Sequence, residues 1–144
     1  IFAREYTAVF ARKIGLTATP EAEALIDGLL KLMADMGADF TLCFRALATG
    51  ESRAYLRAHP DFADWHARWQ AAGPAQDALV QVNPAIIPRN HLVEAMIADA
   101  VSGDMQLFDA LHAALKTPFS HCDTARFIAA PNPQEVVTQT FCGT

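Results

Sequence analysis

Asn83-Pro-Ala-Ile-Ile-Pro-Arg-Asn-His-Leu92 is the stretch on which the reading of this chain turns. It sets two prolines, two asparagines, an arginine and a histidine between two regions whose apolar residues step by three and four, the spacing of helices with one buried face. A residue that precedes proline is pushed toward extended backbone, so Asn83 and Ile87 are predicted to lie outside helices. Pro88 needs no amide hydrogen and is predicted to open the helix that follows. The stretch is therefore a shaped turn feeding a helix. Asn83, Pro84, Arg89 and Asn90 become candidates for a structural or interdomain role, with Arg89 and Asn90 placed to satisfy free backbone groups or to pair across a packed interface.

Working outward toward the N-terminus, Ala75 to Val82 reads as a short helix with Leu79 and Val82 inward, set off by the break at Gly73-Pro74. Before it, Phe62, Trp65 and Trp69 step along one face of the segment Asp61 to Ala72. The two tryptophans are predicted core anchors, since each ring removes a large apolar area from water while its N–H needs a single partner. Glu51 to His59 is expected to form a short helix with Tyr55 and Leu56 inward. Asp39 caps a helix carrying Phe40, Leu42, Cys43, Phe44 and Leu47, where Cys43 reads as a small buried hydrophobe. Thr19-Pro20-Glu21 has the order of an N-cap, a first-turn proline and a carboxylate that the helix dipole favours. The helix it opens presents Leu25, Ile26, Leu29, Leu30, Leu32, Met33 and Met36, and Gly37 ends it. The first helix carries Phe2, Tyr6, Val9, Phe10 and Ile14 and stops at Gly15.

Toward the C-terminus, Leu92, Val93, Met96, Ile97, Ala100 and Val101 mark an amphipathic helix ended by Gly103. Asp104 caps another, with Leu107, Phe108, Leu111 and Leu115 as its stripe and Thr117-Pro118 as its stop. Beyond Pro118 the helical period is lost. The expected architecture is all-α: an irregular bundle of about six to eight helices in a helical domain over 1–117, with an extended C-terminal tail over 118–144 that packs on it or on a missing part of the protein.

Apolar residues make up 52% of the chain and charged residues 19%, a balance that fits a globular protein and excludes an acidic disordered one. With a formal net charge of -5 and basic residues scattered rather than clustered, no electrostatic footprint for nucleic acid is present. No apolar run is long enough to span a membrane and no signal peptide is evident, so the expected compartment is the cytoplasm. The chain opens at Ile1 inside a helical pattern, and is expected to be a piece of a longer protein.

Catalytic patterns do not emerge from the residues. Cys43, Cys122 and Cys142 are too widely spaced for a disulfide framework or a paired metal motif, and His59, His66, His112 and His121 match no ligand spacing. His91 reads as a helix-face residue. There is no glycine-rich phosphate loop and no nucleophile elbow. On these grounds no catalytic, cofactor-binding or metal residue is assigned.

Several stretches taken together resemble the C-terminal region of the selenoprotein O family, which are kinase-like protein adenylyltransferases. They are Arg12-Lys-Ile-Gly-Leu16, Met33-Ala-Asp-Met-Gly-Ala-Asp-Phe-Thr41 with Phe44-Arg-Ala-Leu47, the segment around Trp65 and Trp69, Asn83-Pro84 with Arg89-Asn-His-Leu92, Gly103-Asp104, and Cys142 third from the end. The resemblance covers nearly the whole chain. It implies a bacterial, cytoplasmic parent enzyme that moves AMP from ATP to protein hydroxyl groups with Mg or Mn, its catalytic residues lying in an N-terminal kinase-like core outside this sequence. It also implies that Cys142 is a redox-regulatory residue. Cys142-Gly143-Thr144 departs from the serine-rich ending of bacterial relatives, and Pro88 stands just before the Arg-Asn pair. The competing expectation is a free-standing helical protein-interaction module. An excised domain would further expose an apolar patch through which copies self-associate.

Overall fold

The computed structural model describes residues 2–50, 56–120 and 125–138. Among them the chain forms eight helices and no strand: α1 (Phe2–Lys13), α2 (Pro20–Asp35), α3 (Phe40–Thr49), α4 (Phe62–Ala71), α5 (Gln76–Val82), α6 (Asn90–Val101), α7 (Gln106–Leu115) and α8 (Ala125–Ile128). The all-α expectation holds. The helices fall into two compact units, one running to Pro84 and the other starting at Ala85.

In the first unit the capping residues act as their chemistry requires. Thr19, in extended backbone, accepts the Ala22 N–H at 3.1 Å with Pro20 as the first helical residue of α2. Asp39 accepts the Leu42 N–H at 2.9 Å and starts α3. Gly50 closes α3 in the left-handed conformation, which costs a glycine no steric penalty. The core joins Ile14, Leu25, Ile26, Leu29, Phe44, Leu47, Leu56, Trp69 and Leu79, each at most 1% exposed. Cys43 lies within it, fully buried. Five consecutive residues of α3, Cys43 to Leu47, are buried, so the middle of that helix is enclosed on all sides while Phe40 at its start stays exposed.

The stripe on α1 is rotated from its predicted position. Ala11 and Ile14 are buried and Phe10 is partly so, whereas Tyr6 and Val9 remain 39% and 43% exposed. The apolar set of α1 is wider than the face its neighbours cover. Tyr55 and the rest of 51–55 lie outside the described residues; of the remainder of that predicted helix, Leu56 is buried as expected, while residues 57–59 form a turn closed by the His59 N–H on the Leu56 carbonyl at 3.0 Å.

The second unit has a smaller core of Ala85, Ile86, Leu111, Ala114 and Phe127, flanked by Leu92, Met96, Leu107 and Leu115. Pro88 does not open α6: the helix begins two residues later, at Asn90, with Arg89 as an extended N-cap. The Arg89 N–H is held by the Ile87 carbonyl at 2.9 Å, which keeps one more residue out of the helix. The Arg89 carbonyl then accepts the Leu92 and Val93 N–H groups at 3.0 Å. α6 buries no residue fully, and Ile97 and Val101 face outward. Phe108 on α7 is also exposed, while Leu111 is the buried residue of that stripe. Asp104 accepts the Gln106 N–H at 2.9 Å from one residue before the N-cap of α7, which is Met105.

After Pro118 the chain is not wholly extended. Ala125–Ile128 makes one helical turn whose Phe127 is fully buried in the small core, a contact too short to leave a periodic signal. The Pro118 carbonyl accepts the N–H groups of Ala85 and Ile86, tying the start of this unit to its middle. Asn132 and Glu135 exchange two hydrogen bonds of 2.8 Å that fold the Pro131–Pro133 region into a turn.

Candidate functional site

The most organised polar feature of the first unit lies where α1 ends. A helix leaves its last carbonyls without intrahelical donors, and here the carbonyl of the last helical residue and those of the two residues after it are met by donors from far along the chain. The Asn83 side-chain amide donates to the Lys13 carbonyl at 2.8 Å, the Trp69 indole to the Ile14 carbonyl at 2.8 Å, and the Ala75 N–H to the Gly15 carbonyl at 2.8 Å. Gly15 is required twice over. Its φ of +74° is strained for any residue with a side chain, and a Cβ there would sit 3.1 Å from the Ala75 nitrogen.

Asn83 is fully buried, yet each end of its amide is used. Its Oδ1 accepts from the Lys13 ammonium at 3.0 Å, and its own backbone carbonyl accepts from Arg45 Nη1 at 2.9 Å. Arg45, 5% exposed, also reaches the Val80 carbonyl at 3.0 Å. A cation against the last carbonyls of α5 is favoured both by hydrogen bonding and by the helix dipole. Lys13 Nζ lies 4.9 Å from the centre of the Phe44 ring and 5.7 Å from that of Phe40. Burial holds the pKa of this ammonium below the ordinary lysine value.

The tryptophans act as sequence spacing predicts, and their partners are now defined. Trp65 donates to the Leu25 carbonyl of α2 at 2.8 Å, so α4 is fastened to α2 by one indole and to the end of α1 by the other. Phe62, Trp65 and Trp69 form a stack with centroid separations of 6.0 and 5.6 Å. Gly28 leaves room for it, since a Cβ there would meet the Trp65 ring at 3.1 Å.

The predicted structural set is thus divided. Asn83 and Trp69 meet the end of α1 and Trp65 the interior of α2 at Leu25, and Pro84 follows Asn83 as the last residue of the first unit. Arg89 and Asn90 belong to the second unit, Arg89 7% exposed as an N-cap and Asn90 exposed on the first turn of α6. Cys142 lies outside the described residues, as does Cys122. Sequence reasoning missed Lys13 and Arg45. A charge inside the apolar run Phe44-Arg-Ala-Leu47 was the available signal for the second.

Chemically, the hydrogen bonds of this arrangement position backbone carbonyls and join helices. Asp35, exposed on α2, is held below the usual carboxylate range by the hydrogen bond from Lys31 at 2.6 Å, with His59 Nε2 at 3.5 Å on the same oxygen. Surface grooves of about 440 Å³, between Arg4, Thr7, Thr19 and Glu23, and about 460 Å³, between Arg12, Gly15, Ala75 and Val82, are open. Among the described residues no group of His, Cys, Asp and Glu could hold a metal ion. No described helix is long and apolar enough to cross a membrane.

No family model matches the chain. Individual relatives do. The chain is 45% identical, over 92% of its length, to a protein nucleotidyltransferase YdiU of Roseobacter denitrificans. It is 41% identical over its full length to the protein of that name from Mycolicibacterium paratuberculosis, and 40% identical over 99% to the one from Bradyrhizobium diazoefficiens. It spans 29%, 33% and 33% of those three proteins respectively, so about two-thirds of each has no counterpart here. With nearly every residue matched at such identity, the chain belongs to the selenoprotein O family of protein nucleotidyltransferases.

Proposed function

We propose that the chain is the C-terminal helical part of a protein adenylyltransferase, non-catalytic in itself, which supports a kinase-like core and carries a redox-regulatory thiol at Cys142. The observation that carries this reading is the coverage: relatives named protein nucleotidyltransferases match 92% to 100% of the chain, and the chain is only 29% to 33% of them. The engagement of Asn83, Arg45, Trp65 and Trp69 in joining helices supports a scaffold role for the first unit. ATP with Mg or Mn, and protein hydroxyl groups as acceptors, belong to the whole protein, which operates in the cytoplasm and engages neither nucleic acid nor membrane.

The test compares the full-length gene product with the 144-residue chain, each incubated with labelled ATP, divalent metal and a protein acceptor. Label is expected on protein only with the full-length enzyme. Transfer by the 144-residue chain above a control without enzyme would overturn the non-catalytic assignment.

A further inference from the structure

The rotated stripe of α1 leaves a continuous aromatic surface on the first unit. Tyr6, 39% exposed, lies 4.6 Å from Phe10 between ring centres; Phe10 lies 6.1 Å from Phe40, which is 46% exposed. Phe40 in turn contacts Phe44 at 4.8 Å, so the surface is rooted in the core and held rigid. Val9, 43% exposed, forms with Arg12, Lys13 and Val82 a shallow groove of about 250 Å³ beside these rings. Rigid aromatic and aliphatic side chains beside a cation are the composition of protein contact sites rather than of ordinary surface.

The charge pattern is incomplete. Ion pairs among the described residues join Lys31 to Asp35, His59 to Asp35 and Arg68 to Asp64 without drawing on Arg12 or Lys13. Among the described residues the half-buried Lys13 ammonium meets an amide oxygen and two ring faces. A carboxylate brought to this groove would find the exposed Arg12 guanidinium and the half-buried Lys13 ammonium, whose partial removal from water strengthens its share of the attraction.

We propose that this face is the seat of a segment of the longer protein outside these 144 residues, which presents an apolar side chain to Tyr6, Val9 and Phe40 and a carboxylate to Arg12 and Lys13. The inference rests on the functional reading above, since it takes the remaining two-thirds of the relatives' length as present in the same protein. A partner on the same chain binds intramolecularly, at an effective concentration that a second copy in dilute solution does not match.

The test uses the full-length protein carrying Val9→Cys or, as an exposed control on α4, Ala67→Cys, with maleimide labelling followed by mass spectrometry on the peptide that holds the new thiol. Labelling at residue 9 is expected to be at least about tenfold slower than at residue 67, because modification must await local opening. Adding Arg12→Glu to Val9→Cys is expected to speed labelling several-fold by repelling the carboxylate. Equal rates at the two positions in a protein that transfers AMP would overturn the docking inference and leave the functional reading standing. Protection that grows with protein concentration alongside a dimer in sizing would assign the face to a second copy and overturn it too. A full-length product that transfers no AMP removes the functional reading and takes the inference with it.

Discussion

Asn83 shows how much one buried amide does. It caps α1, meets the Lys13 ammonium and offers its carbonyl to Arg45, joining helices that lie 70 and 38 residues away in sequence. Asn83→Ala leaves the Lys13 carbonyl without its donor and the ammonium without its oxygen. Unfilled hydrogen bonds of this kind, one of them to a charge, cost about 2–4 kcal/mol in sum. In urea unfolding the midpoint is expected to fall with an unchanged slope, whereas Asn90→Ala, on an exposed first turn, should change stability by less than about 0.5 kcal/mol. Equal effects at the two positions would refute the division of the motif between a buried joint and a surface residue. Proline made Asn83 visible in the sequence as a residue outside helices. Its partners were not visible, because nothing in a local pattern tells which distant carbonyl lacks a donor.

At the scale of elements, caps and breaks were legible and faces were less so. Thr19, Asp39 and the glycines act locally, through bonds to residues three positions away or through their own φ, and they stand where sequence placed them. Stripes depend on what lies opposite. Trp65 and Trp69 fit their predicted face because large rings are buried wherever a core exists, while Tyr6, Val9, Ile97, Val101 and Phe108 satisfy the same spacing and remain outside. For α4 the distinction between ring area and hydrogen bond is measurable. Trp69→Phe keeps an aromatic ring in the stack but removes the donor to the Ile14 carbonyl, and is expected to cost about 1–3 kcal/mol. Trp69→Leu, which also breaks the 5.6 Å stacking with Trp65, should cost more. If the two variants unfold at the same urea concentration, the indole N–H is the whole of the effect and the stack contributes nothing.

Across the whole molecule, periodicity announced an all-α chain, and family resemblance identified it; neither marked the division at Pro84 and Ala85. A helical period reports that a face is buried and is silent on which core receives it. The two cores are unequal among the described residues: sixteen buried hydrophobic residues cluster in the first unit and five in the second. At about 1.5–3 kcal/mol for each large side chain taken fully out of water, the first unit holds most of the favourable burial. α6 is the clearest case, with no fully buried residue, Ile97 half exposed and Val101 85% exposed. Segments with few buried apolar contacts open at lower free energy than core elements. Native-state hydrogen exchange of this chain is therefore expected to show the amides in the middle of α6 exchanging at least about tenfold faster than those of α2 around Leu25 to Leu29. The comparison is made between interior helical amides, where intrahelical hydrogen bonding is alike and only side-chain burial differs. Matching protection in α6 and α2, both tracking global unfolding in urea, would mean that the small core shares the stability of the large one and that the two units open together.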